Sequence, residues 1–232
     1  MIQDAFHLKV LKVVFDTEIA PWEVPAFRGA VANKAGHEHV LFHNHDGEKY
    51  RYSYPLIQYK RLGRKPALVC LGDGVEEVHR FFEQRDWGIE ISGRRLEMVI
   101  DRMEVTTSHL EVLDKQAPFK IKDWIALSQK NWGEYNSLER EVDRIIYLEK
   151  KLTANILSFA KGIGWHVDNE IQTQITSPVK IHSVNHKRVA FQGHDLEFKV
   201  NIQLPSGIGL GKAASSGCGL ILKNDSPSNF AA

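Results

Sequence analysis

Apolar and polar positions alternate at the start of the chain. Phe6, Leu8 and Val10 are interleaved with His7 and Lys9, so residues 6–19 predict a β-strand. Pro21 and Pro25 punctuate its exit, and a short helix is expected over 25–36, with Pro25 in its first turn and Gly36 near its end. Residues 37–49 are polar and irregular around an apolar island at 40–42. Two strands are expected at 50–61 and 66–71, with Gly63 marking the hairpin between them. The GDG at 72–74 reads as a turn. Val75, Val78, Phe81 and Phe82 stand at helical spacing over 74–84, and 88–100 returns to strand-like sequence. The order strand, helix, strand, strand, helix, strand is that of a ferredoxin-like βαββαβ unit, an antiparallel sheet with two helices on one face.

Residues 101–118 show no strong period and read as a connection. A second unit is expected from Phe119, where 119–127 is strand-like. The longest amphipathic pattern spans 134–161. There Leu138, Val142, Ile145, Leu148, Leu152, Ile156 and Phe159 recur three or four apart, and Gly162 and Gly164 end the helix. Strands are expected near 170–176, 179–184, 187–192, 195–204 and 219–223. No internal repeat or low-complexity tract is visible.

Composition narrows the class. The 232 residues include 30 Lys plus Arg against 29 Asp plus Glu, a formal net charge of +1. The 43% hydrophobic and 25% charged content is that of a globular chain. No apolar run reaches the ~18 residues a spanning helix needs, and the N-terminus lacks a signal-peptide pattern. Cys70 and Cys218 supply neither a disulfide framework nor a cysteine metal site, and they read as reduced thiols of an intracellular protein. With a charge near zero, any nucleic-acid site must be a local patch on one face.

Three segments carry candidate chemistry. His37, His39, His43 and His45 fall within nine residues, and His43 and His45 share a side if the segment is extended. A neutral and a protonated imidazole can serve together as base and acid near neutral pH. The same cluster also reads as a metal site completed by Glu38, Asp46 or Glu48, or as a solvated loop. The stretch 49–65 holds Lys49, Arg51, Lys60, Arg61, Arg64 and Lys65 and no acid, interleaved with Tyr50, Tyr52, Tyr54 and Tyr59. Cations neutralise phosphates and aromatic faces stack on unpaired bases, so this hairpin reads as an RNA platform or as an ordinary charged surface. Lys180, Lys187 and Arg188 form a weaker cluster of the same kind. Finally, LPSGIGLGKAASSGCGLIL at 204–222 carries Gly207, Gly209, Gly211, Gly217 and Gly219 beside Lys212. Such spacing permits positive φ and close approach of backbone amides to a phosphate, or it makes a simple turn. It is not a P-loop, because Ser206 occupies the first glycine position and Ala213 follows the lysine.

These segments together resemble the CRISPR repeat-RNA processing endoribonucleases of the RAMP superfamily. The resemblance is carried by the glycine loop GIGLGKAASSGCG and by RGAVAN (28–33), LFHNH (41–45) and YRYSYPLIQYK (50–60), in that family's order. It implies an α+β fold of two tandem ferredoxin-like (RRM-like) domains with antiparallel sheets. Their expected extents are 1–103 and 119–232, joined by 104–118. It also implies metal-independent cleavage by a 2′-hydroxyl, leaving a 2′,3′-cyclic phosphate and a 5′-hydroxyl. His43 and His45 fall on the family's histidine position, Lys49 or Arg51 would stabilise phosphate charge, and Tyr52 would position or transfer a proton. Arg51, Lys60, Arg61, Gly207, Gly209, Gly211, Lys212, Gly217 and Gly219 would contact RNA. Many members place a catalytic tyrosine in the first helix; residues 24–36 contain none. No cofactor is implied. The implied partners are repeat RNA, subunits of a CRISPR effector complex and a second copy of the chain, in the cytoplasm and away from membranes. The alternatives are a non-catalytic RNA-binding subunit and a metal-dependent hydrolase.

Overall fold

The structure is a computed structural model and describes residues 5–36, 38–43, 45–46, 49–50, 54–186 and 189–224, with the backbone alone at 45–46 and 49–50. Two compact units emerge. The N-terminal unit is built on His7–Ser108 and also includes Ser215–Gly217; the C-terminal unit is built on His109–Ala214 and the strand that follows Cys218. The fold is tandem ferredoxin-like with antiparallel sheets.

In the N-terminal unit β1 (Phe6–Phe15) leads through α1 (Val24–Ala35) and a helical turn α2 (Val40–His43) to the two-residue strands β2 (His45–Asp46) and β3 (Lys49–Tyr50). The hairpin β4 (Ile57–Leu62) and β5 (Lys65–Leu71) follows, then two short helices, α3 (Asp73–Glu77) and α4 (His79–Phe82). The expected fourth strand at 88–100 is instead a small hairpin, β6 (Ile89–Ile91) and β7 (Arg94–Leu96). Its turn places Ser92 at φ 52° and Gly93 at φ 74°, the paired positive dihedrals that match the twist of a two-residue hairpin. The strand that completes the sheet is β8 (Ile100–Leu110), in the order β4-β5-β1-β8. Nearly every β8 side chain is exposed, so the segment has no apolar alternation to announce it. Ile89, Ile91 and Leu96 are buried and produced the signal in its place. The core centres on Phe15, which meets Phe27 and Phe81 edge-on at ring separations of 6.3 Å each.

The C-terminal unit begins with β9 (Val112–Trp124), so residues 101–118 are strand rather than connection. The single helix expected over 134–161 is two, α5 (Gln129–Asn136) and α6 (Glu141–Gly162). Arg140 stands at the break in extended conformation, with its guanidinium on both carboxylate oxygens of Asp143 at 2.7 Å. Leu148, Leu152, Ile156 and Phe159 are buried as the pattern predicts, but Val142 is 62% exposed. Then come β10 (Thr173–Ile175), β11 (Lys180–His186), β12 (Val189–Ile202) and β13 (Leu220–Lys223). The strands expected at 187–192 and 195–204 are one strand, β12, with a register shift between His194 and Leu196. The sheet order is β10-β12-β9-β13, with β11 on the first half of β12. This is the arrangement of the first unit, except that the glycine-rich segment replaces the second helix. Phe119 and Phe198 stack in its core at 5.8 Å. Among the described residues no helix is long and apolar enough to cross a membrane. Cys70 and Cys218 are buried and not joined in a disulfide, and burial holds the Cys70 thiol well above its usual range.

Candidate active site

The histidine segment is folded, not extended. α1 ends at Ala35, and Gly36 turns the chain with φ 113°. That positive φ is what favours glycine here; an added Cβ would meet only the flexible carboxylate end of Glu38. His39 N–H donates to the Gly36 carbonyl and Phe42 N–H to the His39 carbonyl, which builds the helical turn. Phe42 is 1% exposed and anchors the turn in the core, and the Tyr59 hydroxyl donates to its carbonyl at 3.3 Å. Arg28, on α1, donates to the His43 carbonyl at 2.7 Å. His39 Nδ1 lies 2.7 Å from Glu77 of α3.

Two of the four histidines are thereby distinguished. His39 is a clamp between the turn and α3. His43 directs Nε2 onto the Gly36 carbonyl at 3.1 Å. A carbonyl only accepts, so a neutral His43 ring carries its proton on Nε2, and Nδ1 holds the lone pair. His37 lies outside the described residues. His45 pairs with Tyr50, and Lys49 with Asp46, in the β2–β3 ribbon; Arg51 and Tyr52 lie outside the described residues.

The basic hairpin is more structural than its composition implies. Tyr59 is fully buried and Tyr54 is 8% exposed, with its hydroxyl accepting from Gln58 at 2.9 Å. Burial raises both phenols above their usual range. Lys60 is 1% exposed, which corrects the expectation that it meets RNA phosphate. Arg61 donates to the Ile19 carbonyl at 2.7 Å. Arg64 pairs with Glu18 at 2.8 Å, and Lys65 with Asp16 at 2.9 Å and Asp101 at 3.3 Å. Ile57, Gln58, Tyr59 and Lys60 are all buried, so both faces of the first half of β4 are covered, and the strand carries no alternation that would mark Lys60 as an inside residue.

The glycine loop is likewise explained first by its own packing. Gly207, Gly211, Gly217 and Gly219 have positive φ. A Cβ on Gly219 would fall 1.9 Å from the Leu210 carbonyl oxygen, and one on Gly211 would fall 2.8 Å from both Asn155 Oδ1 and Trp124 Nε1. The Gly207 amide donates to the Ile221 carbonyl and the Gly219 amide to that of Asp123. Those two amides are therefore committed and do not face a phosphate, a correction to the cradle expected there. Gly209 bridges Leu220. Gly217 lies against Val24 and belongs to the N-terminal unit. Lys212 is exposed, with its ammonium 4.1 Å from the centroid of the Phe191 ring.

The Cas6b N-terminal domain family model matches residues 6–109, and the Cas6b C-terminal domain model matches 111–224. The chain belongs to the Cas6b family. A crystal structure of Cas6b superposes on this family member with a TM-score of 0.84 at 25% identity, covering 94% of this chain and 100% of that one. A second, of a CRISPR RNA processing endoribonuclease Cas6b, shares the fold with a TM-score of 0.73 at 24% identity, covering 94% of this chain and 100% of that one. An uncharacterized protein of Methanocaldococcus jannaschii is 29% identical over 136 residues, 58% of this chain and 91% of that one.

Sequence reasoning missed Arg28, Gly36 and Glu77 as the groups that shape the histidine turn. Arg28 opens the RGAVAN segment and Gly36 reads only as the end of the first helix, whereas no local pattern announces Glu77, which arrives from 38 residues downstream of His39. One His/Cys/Asp/Glu grouping with ligand-like spacing stands out among the described residues: Asp123, His182 and Asp195, with ligand atoms within 4.8 Å of one another. His182 Nε2 is already paired with Asp123 at 2.7 Å, and Asp195 accepts from the Asp123 amide.

Proposed function

We propose that this Cas6b chain is a metal-independent endoribonuclease that cuts CRISPR repeat transcripts into guide RNAs. Membership of the family across both halves supports the substrate class. The observation that carries the chemistry is His43: its ring is oriented by the Gly36 carbonyl and its backbone is held by Arg28. An oriented imidazole of defined tautomer is what proton transfer at a hydroxyl requires.

His43 takes the proton of the 2′-hydroxyl. The 2′-oxygen attacks the adjacent phosphorus, and the bond to the 5′-oxygen breaks. That oxygen leaves with a proton from His45 in its imidazolium form. One fragment ends in a 2′,3′-cyclic phosphate and the other begins with a 5′-hydroxyl. No water is consumed, and the imidazoles return to their starting state by proton exchange. Lys49 and Arg51 neutralise charge on the phosphate oxygens as it develops, and Tyr52 positions the reacting group.

The test is cleavage of cognate repeat RNA in EDTA with end-group analysis. Wild type should yield one cut with a cyclic-phosphate end. His43→Ala and His45→Ala should each slow it by about 10²–10⁴-fold while still binding RNA. A cut that requires added divalent metal would overturn the mechanism. Tight binding without any cut would make the chain an RNA-binding subunit.

A further inference from the structure

The C-terminal unit contains a second place suited to RNA. A groove of about 510 Å³ opens between the start of α5 and the β11–β12 hairpin, and its walls include Ser128, Trp132, Ile181, Phe191 and Gln192. The volume is that of a small-ligand pocket. Trp132 is 40% exposed and Ile181 51%. Two large apolar side chains thus stand half in solvent along one groove.

Three polar features specify its chemistry. Lys212 holds its ammonium 4.1 Å from the Phe191 ring centroid, placing a phosphate-binding charge beside an aromatic wall. Ser128 caps α5 by accepting from the Asn131 amide, and Ser128 and Gln129 at the start of this eight-residue helix line the groove. Gln192 lines the groove, and its Oε1 is buried with no hydrogen-bond partner among the described residues. A buried acceptor left unpaired is costly, so a ligand N–H that pairs with it is favoured.

Aromatic face, cation and unfilled acceptor together describe one unpaired nucleotide. We propose that this groove binds a single unpaired, amine-bearing nucleotide of the RNA substrate. The base lies on Trp132 at the edge of Phe191, its exocyclic amine donates to Gln192, and its phosphate meets Lys212, whose ammonium lies over the Phe191 ring. The proposal rests on the RNA-processing reading above and adds a subsite that lies wholly within the C-terminal unit. The acids near His182, Asp123 and Asp195, are held by that imidazole and by a backbone amide, which tempers their repulsion of a phosphate.

The test measures equilibrium binding of repeat RNA made uncleavable by a 2′-deoxy substitution at the cut site. Trp132→Ala and Phe191→Ala should each weaken binding about 10-fold, with circular dichroism unchanged, and Trp132→Phe should recover most of the loss. Ultraviolet crosslinking should join one nucleotide to Trp132 or Phe191. Removing that base's exocyclic amine should weaken wild type several-fold and leave Gln192→Leu unmoved. If wild type binds and cuts but both alanine variants bind equally well, or the crosslinked base is uracil, the subsite is overturned and the nuclease reading stands. If wild type does not bind repeat RNA, both fall.

Discussion

At the residue scale, neighbours decide what a side chain is for. Four tyrosines and six cations in 49–65 look equivalent in sequence, yet Tyr54, Tyr59 and Lys60 are buried, while Arg64 and Lys65 sit in surface ion pairs. Arg28 shows the converse: an ordinary helix residue that holds the His43 carbonyl. Arg28→Met should lower the cleavage rate about 10-fold, since it removes a charge-assisted hydrogen bond to the turn carrying His43. The salt dependence of RNA binding separates this role from direct phosphate contact. A positioning residue leaves the slope of log K against log salt unchanged, whereas loss of a phosphate contact reduces it by about one.

Elements respond to substitution according to how closely backbones approach. Gly219→Ala meets a carbonyl and requires φ near 64°, so urea unfolding should show a loss of at least about 2 kcal/mol. Gly29, inside α1, has no atom within 4 Å of an added Cβ. Gly29→Ala should therefore stabilise by about 0.5–1 kcal/mol, the helix-propensity difference. Equal effects at the two positions would contradict the loop described here. The entry to α1 carries a pH signature. Glu23 accepts from the Ala20 amide at 2.7 Å and from Arg94 at 2.7 Å. The Ala20 amide first, then Arg94, holds its carboxyl below the usual range. A depressed folded pKa contributes stability above the unfolded value and loses it as pH falls through the folded one. Glu23→Gln should thus lower the Tm at pH 7, and the gap from wild type should narrow as the pH drops below about 4.

For the whole molecule, a net charge of +1 leaves no general attraction for polyanions. Crosslinks to repeat RNA should concentrate in peptides carrying the histidine turn and the α5–β12 groove; an even spread over the surface would contradict a local footprint. The sequence determined the two-unit α+β plan, because alternation in β1, helical spacing in α6 and glycine punctuation are local properties set by backbone geometry. It also marked the histidine cluster and the glycine loop. It misplaced β8, whose exposed side chains leave no period, and it split β12 at an irregularity that strand pairing tolerates. Only the tertiary structure decided that His39 serves Glu77 while His43 is oriented by Gly36, that Lys60 is buried, and that Trp132 meets Phe191 and Gln192 around one groove. Apart from the Gly36–His43 contact, which spans seven positions, those outcomes depend on residues far apart in the chain, and a local pattern carries no information about which distant side chain will arrive.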